Sequence, residues 1–344
     1  MRIDYTIEIG GSTISSQPRS SGPPLVDLRV ERGLGGAGGR ARIELGPVGS
    51  EVPSIGQAVR VELDAGQGGG VVFTGEVETV TQGVSATVVE ARDGLAKLGE
   101  HELERGYEEV SAGFIVEDLV SASGAEPGEI EDGPTFPRYL VHGGARALGH
   151  AERLARLVGA ELYTDGDGKV CFARPSAGSP GPSLRWGDSL LRVDLEREPL
   201  RSDSLAVWGE GSAGTDGADK EHWLAADLSG VSGSARVSDA QGERSVTPQA
   251  LGDRPRALID GAIRSVDAAD EIARAHMLAL ALRPVRGSVL TLGLPEAAPG
   301  LWIELVDLPA PSHPLGTGLP LPLRVRGFVH RLSPRSGLVT ELRF

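Results

Sequence analysis

The chain has 344 residues, a length typical of two domains or three small ones, and 48 acidic against 34 basic residues give it a net charge of −14. An acidic chain of this kind lacks the excess positive charge that nucleic-acid binding needs. One cysteine excludes an intramolecular disulfide and a cysteine-rich zinc site. Six Phe, four Trp and four Tyr are few for a surface that stacks bases or sugars. Since no apolar run approaches ~20 residues, the sequence also predicts no membrane-spanning helix.

The first 95 residues alternate apolar and polar side chains with a period of two, which is typical of half-buried strands. The predicted strands are residues 1–9, 26–30, 40–45, 58–63, 71–80 and 85–91. Glycine-rich breaks at 33–39 and 66–70 separate some of them. Residues 1–95 therefore predict a small β-barrel. The acidic, alternating N-terminus indicates a strand and not a signal peptide, so we expect synthesis in the cytoplasm.

Residues 96–183 change to a helical period and predict an α/β insert. Apolar residues cluster between 114 and 120, and a cleaner amphipathic helix covers 145–158 and ends at Gly159. A hairpin follows over 161–173, with its turn at Asp165–Gly168. Glycines are expected to shape the chain at four structural turns: Gly75, Gly159, Gly166 and Gly168.

Residues 184–344 return to β patterning and predict a second barrel with an inserted helix. The helix covers 267–282, has acidic residues in its first turn and ends before Pro284. The predicted strands are 190–195, 204–208, 288–294, 301–308, 323–330 and 337–344, with a flexible loop over 209–217. The predicted fold class is mainly β, with two small barrel lobes and an α+β middle region.

Most of the net negative charge lies in one segment. Between Glu100 and Asp132 the chain has eleven acidic residues and one base, Arg105. Such a run indicates either a solvated face or a docking surface for a basic partner. The candidate docking residues are Glu102, Glu104, Glu108 and Glu109.

Two motifs suggest chemistry that the rest of the sequence does not support. Residues 187–190 spell Gly-Asp-Ser-Leu, as in one class of esterases, and Asp219 with His222 offers an acid and a base. That chemistry also needs an oxyanion donor, which in those enzymes includes Asn, and the chain contains no Asn. We therefore predict a turn before a strand at Ser189. No catalytic residue is assigned.

Single residues with metal-binding or catalytic potential are better explained structurally. Asp165–Gly168 resembles the start of a calcium loop, but Lys169 stands at the third ligand position, so a hairpin turn is expected. Cys171 lies in an apolar strand and is predicted to be a core residue. His330 is predicted to be a buried structural histidine. We expect neither a metal nor a cofactor.

The order of several segments resembles the late control protein D family of phage tail hub proteins. Their hub fold also forms the N-terminal part of type VI secretion spike proteins. Residues 73–77 and 86–95 resemble the end of its first barrel. The helix 145–159 followed by the hairpin resembles the most recognisable local pattern of this family. The closing barrel strands of the family are similar to residues 299–303, 326–330 and 337–340.

This resemblance implies a structural protein at the baseplate centre of a contractile phage tail or injection system. Family members form homotrimers in which two similar barrels per subunit give a ring of six. The ring joins a hexameric inner tube to a trimeric spike, among other baseplate proteins. Because this sequence ends just after a closing strand, the spike is expected to be a separate polypeptide. Two alternatives remain open: a hydrolase that uses a pair of acidic residues, and a surface-binding β-module.

Overall fold

The structure is a computed structural model, and it describes residues 3–17, 23–35, 38–47, 52–66, 68–178, 181–209, 230–240, 243–309 and 321–344. These residues are mainly β-strand, with helices concentrated in the middle of the chain and before the closing strands. The predicted mainly-β fold class with an α+β middle region is confirmed.

The N-terminal region forms strands where the period of two predicts them. The strands are β1 (Asp4–Ile9), β2 (Ser12–Ser15), β3 (Leu25–Gly33), β4 (Arg40–Leu45), β5 (Ala58–Asp64), β6 (Gly69–Gln82) and β7 (Thr87–Arg92). Alternate residues of β4, β5 and β7 are buried, since successive side chains of a strand point to opposite faces.

The middle region mixes helices with short strands. Its elements are α1 (Gly94–Glu100), β8 (Arg105–Ser111), α2 (Ala112–Ala122), β9 (Pro127–Ile130), β10 (Thr135–Val141), α3 (Ala147–Val158), β11 (Glu161–Thr164) and β12 (Val170–Ala173). The side chain of Asp93 caps α1 and that of Ser111 caps α2, each by accepting a backbone N–H. The two predicted helices and the hairpin β11–β12 are confirmed.

The remaining elements run from residue 183 to the last closing strand. They are β13 (Ser183–Arg185), β14 (Leu190–Arg197), β15 (Ser204–Gly209), β16 (Ser232–Ala240), β17 (Glu243–Pro248), β18 (Pro255–Asp260), α4 (Val266–Ala281), β19 (Val285–Leu292), β20 (Trp302–Val306), β21 (Leu321–Arg324), β22 (Gly327–Ser333) and β23 (Gly337–Arg343). The predicted helix is confirmed as α4, which begins at the capping side chain of Ser265. The predicted loop 209–217 lies outside the described residues, apart from Gly209.

One prediction in this region is wrong. Residues 323–330 were expected to form a single strand, but the chain bends at Val325 and Arg326. The backbone N–H of Val325 donates to Leu301 O at 2.7 Å, and that of Arg326 donates to Arg343 O at 2.8 Å. As a result β21 pairs with β20, whereas β22 pairs with β23 and β3.

A large curled sheet of eleven strands joins the two ends of the chain. Its order is β14-β19-β23-β22-β3-β4-β7-β6-β5-β1-β2, and the antiparallel β3–β22 pair connects the N-terminal strands to the C-terminal ones. One hydrophobic core accordingly contains residues from both ends, such as Leu28, Phe73, Phe328 and Leu342. The division into domains 1–95, 96–183 and 184–344 stays a prediction.

A second core lies between the middle region and a four-stranded sheet of order β17-β16-β15-β18. Helix α4 packs so closely on this sheet that a Cβ at Gly233 would lie 2.3 Å from the backbone of Ala269. Helices α1, α2 and α3 contribute the other side of the core, with side chains such as Leu119 and Leu154. Among the described residues, no helix is long and apolar enough to cross a membrane.

Candidate functional site

The four candidate docking glutamates lie together at one edge of the middle region. Glu102 and Glu104 precede β8, Glu108 and Glu109 lie within it, and all four are exposed. None of them forms an ion pair with a described residue. We call these four residues the acidic strip.

The acidic strip is built on a small two-stranded sheet. Strand β8 pairs with β10, and Tyr107 and Tyr139 lie opposite each other with their rings buried against the core. The ladder skips Glu109, whose φ is 53°, and Pro137, which has no N–H to donate. This irregularity breaks the alternation of the strand, and consequently both Glu108 and Glu109 face solvent.

Hydrogen bonds fix the strip against helix α2. The Tyr107 hydroxyl donates to Asp118 Oδ2 at 2.6 Å, and Arg105 forms an ion pair with the same carboxylate. Burial, followed by the hydrogen bond and charge of Asp118, raises the pKa of Tyr107. The phenol therefore stays a donor across the physiological pH range, and the strip has a fixed support.

The predicted glycines explain how the hairpin contacts the first strands. A Cβ at Gly166 would lie 2.5 Å from Val71 O, and one at Gly168, where φ is 80°, would lie 2.6 Å from Thr74 O. The Thr74 hydroxyl donates to Gly166 O at 3.1 Å. The β11–β12 turn therefore packs directly on β6, at a distance that only glycine allows.

Gly75 has a different position from the one predicted. It is not at a turn but inside β6, where a Cβ would lie 2.1 Å from Arg92 O of the neighbouring strand β7. A close approach of two backbones explains this glycine better than turn geometry. Gly159, in contrast, ends α3 with φ of 72°, and a Cβ there would lie 3.0 Å from Ala275 Cβ of α4.

A buried polar network holds the same junction and was not predicted from the sequence. Arg32 donates to Val72 O at 3.1 Å and to Thr164 O at 2.6 Å, while Asp93 accepts from Gly39 N and from the Thr164 hydroxyl. Arg32 and Asp93 are only 5% and 3% exposed. The network thereby ties β3, β6 and the hairpin together.

Burial has the largest influence on the pKa values of both charged groups of this network. It raises the pKa of Asp93 and lowers that of Arg32, and the attraction between the two charges opposes both shifts. The alternation of β3 could have predicted the burial of Arg32, since Arg32 follows Leu28 and Val30 on the inward-facing side of the strand.

The esterase-like motif forms the predicted turn before β14. Ser189 Oγ accepts a hydrogen bond from the backbone N–H of Arg185 at 3.2 Å. Its carbonyl accepts from Leu292 N at 2.8 Å. Asp219 and His222 lie outside the described residues. The described surroundings of Ser189 thus explain it as a residue that orders a turn.

The other candidate ligands and nucleophiles also have structural positions. Asp165 Oδ1 accepts from Lys169 N at 2.9 Å and closes the hairpin turn. Cys171 is buried, as predicted, and burial raises the pKa of its thiol. His330 is fully buried, with Nδ1 2.9 Å from Thr340 Oγ1. Within the described ranges, no three His, Cys, Asp or Glu side chains are grouped as metal ligands.

Solved structures of tail proteins share this fold along their whole length. The 43 kDa tail protein of prophage MuSo2 from Shewanella oneidensis aligns over 99% of this chain and 97% of its own, with a TM-score of 0.63 and 15% identity. The chain has the phage tail hub fold. A tail protein from Neisseria meningitidis MC58 aligns over 100% and 96% of the two chains, with a TM-score of 0.67 and 13% identity.

The hub fold also occurs in a secretion-system protein. An Escherichia coli component of the type VI secretion system, which exhibits structural similarity to T4 bacteriophage tail proteins gp27 and gp5, aligns over 98% of this chain and 75% of its own. The TM-score is 0.54 at 12% identity. No protein-family model and no curated protein matches the chain. The chain therefore shares the hub fold with these structures at sequence identities of only 12–15%.

Proposed function

We propose that this protein is the structural baseplate hub of a contractile phage tail or contractile injection system. In this role a homotrimer joins the hexameric inner tube to a separate trimeric spike protein. The observation that carries the proposal is the end-to-end alignment with two tail proteins, which leaves almost no part of either chain unmatched. Alignment over the whole chain favours a similar role more than a shared local motif would, although fold alone does not define function.

The proposed symmetry has a physical basis. A trimer presents six similar surfaces to a hexameric tube only if each subunit supplies two related lobes. We assign these lobes to residues 1–95 and 184–344, with 96–183 between them. The lobes would occupy alternate positions of a pseudo-six-fold ring, while the three-fold axis remains available to the spike.

The proposed role is structural and does not require catalysis or a cofactor. Ser189 accepts a hydrogen bond that orders a turn, and the buried polar groups Arg32 and Asp93 connect elements of the fold. The protein would be assembled in the cytoplasm and then become part of the baseplate. The acidic strip would be one of its docking surfaces, because exposed charges contribute little to folding and more to association.

Co-purification tests the proposal. The tagged protein would be co-expressed with the tube and spike proteins encoded in the same tail or injection-system gene cluster. We expect one complex that contains all three proteins and is visible as a tube-ended spike by electron microscopy. Recovery of the tagged protein without either partner would contradict the hub assignment.

A further inference from the structure

A groove lined by arginines is the strongest unexplained feature of the described surface. Its volume is about 430 Å³, and it lies where β3, β4, β7, β22 and β23 meet. We call it the arginine groove. The charged side chains that line it are Arg32, Arg40, Arg92, Arg326, Arg343 and Glu31. Five arginines line this groove in a chain whose net charge is −14. Two of them form ion pairs within the subunit, Arg343 with Glu31 at 2.6 Å and Arg326 with Glu161 at 3.7 Å.

The strand register places two of these cations directly against each other. Arg40 lies opposite Arg92 in the β4–β7 ladder, and like charges in directly opposed positions repel. Each forms one ion pair: Glu90 lies 3.9 Å from Arg40, and Glu78 lies 3.0 Å from Arg92. On their other sides Arg40 lies opposite Glu31 in the β3–β4 ladder and Arg92 lies opposite Glu76 in the β6–β7 ladder. Because a guanidinium has five N–H donors, a single contact leaves most of them free for another acceptor.

The base of the groove has an unpartnered donor. Arg32 is nine-tenths buried, and its Nε has no hydrogen-bond partner among the described residues. A buried donor without a partner is costly, which makes an anion near it favourable. Nearby, burial is the main cause that lowers the pKa of Arg326; the charge of Arg283 adds to this shift and the charge of Glu161 opposes it.

The same chain carries a surface of matching chemistry. The acidic strip presents four exposed carboxylates, none paired with a described residue, on strand β8 and the segment that leads into it. Its charges and those of the arginine groove do not pair within one molecule. Two complementary surfaces that do not meet within one subunit can meet between copies in a head-to-tail contact, and such contacts form a ring when the rotation between subunits closes.

We propose that the arginine groove of one subunit binds the acidic strip of the next. This inference rests on the proposed function, which supplies a ring of identical subunits, and it names the side chains that join them. The carboxylates of Glu104 and Glu108 would accept hydrogen bonds from Arg40 and Arg92. Charge-assisted contacts of this kind fix register and are weakened by salt.

Charge reversal in pairs tests this contact. One variant reverses the groove (Arg40→Glu with Arg92→Glu), a second reverses the strip (Glu104→Arg with Glu108→Arg), and a third combines all four changes. Arg192→Glu with Arg286→Glu is the matched control, since these arginines are exposed on β14 and β19 outside the groove. Circular dichroism verifies the fold, and sedimentation measures self-association.

We expect each single reversal to weaken association at least about tenfold, and the combined variant to recover most of it because the two surfaces are again complementary. The control should associate like the wild type. Neutral Gln substitutions at Arg40 and Arg92 provide a second test if the reversed groove fails to fold, with a smaller loss expected. If a reversed variant associates as strongly as the wild type, this contact alone is overturned. The same holds if the combined variant associates no better than the variants with one reversed surface. A wild-type protein that stays monomeric both alone and with the spike protein would overturn the hub proposal as well.

Discussion

At the scale of single residues, Gly159 combines two separate constraints. It adopts a φ of 72° at the end of α3, and it leaves no room for a side chain against Ala275. Gly159→Val should lower the free energy of unfolding by about 2–4 kcal/mol, from backbone strain and overpacking together. Urea unfolding followed by circular dichroism measures the loss.

Gly124 offers a matched control for this prediction. It has a similar φ of 74° beyond the end of α2, but nothing lies within 4 Å of the position that its Cβ would occupy. Gly124→Val should therefore show the backbone cost without the contact with α4. Equal losses at the two positions would mean that packing against α4 contributes nothing.

The buried His330 predicts a specific pH dependence. Burial, together with the charge of Arg32, lowers its pKa to about 3 from the ordinary histidine value of 6.5. Below pH 6.5 the unfolded chain binds a proton that the folded chain does not, so stability should fall as the pH decreases toward 3. The slope contributed by this residue would approach about 1.4 kcal/mol per pH unit.

Substitution isolates this contribution from that of the carboxylates. His330→Gln should flatten the dependence of the unfolding free energy on pH between about 4 and 6, while His101→Gln, at a half-exposed position, is the control. Urea titrations at several pH values give the comparison. A wild-type slope that persists in His330→Gln would show that this histidine is not the group that titrates.

At the scale of elements, the hairpin β11–β12 depends on contacts that are distant in sequence. Thr74→Val keeps the shape of the side chain but removes the hydroxyl that donates to Gly166 O. We expect a loss of about 1 kcal/mol and faster hydrogen exchange in the hairpin. Thr81→Val, at an exposed position of the same strand, should change neither quantity.

The sequence predicts elements well where each one buries a face of its own. Strands such as β4 and β5 and the helices α3 and α4 carry a clear period, and the hairpin carries a turn signal. The sequence analysis does not predict strands β8 and β10, because they pair across an intervening helix and an irregular pair, Glu109 with Pro137, interrupts their alternation. Arg326 likewise continues the alternation of apolar and polar residues that begins at Leu323, and only tertiary pairing shows that the strand breaks there.

Of the two candidate surfaces, one can be predicted from the sequence and the other depends on tertiary structure. The charge of the acidic strip is visible in the sequence, since its glutamates are close along the chain. The arginine groove is not, because β3, β4, β7 and the closing strands bring together residues from Arg32 to Arg343. The β3–β22 pair that creates it joins segments about three hundred residues apart.

At the scale of the whole molecule, the hub proposal requires a defined number of subunits. Sedimentation equilibrium of the purified protein measures that number most directly. The account predicts a stable species of three times the 35.8 kDa chain mass when the protein is alone, or a heavier complex that contains three copies of the chain when the spike protein is added. A protein that remains monomeric under both conditions would contradict it.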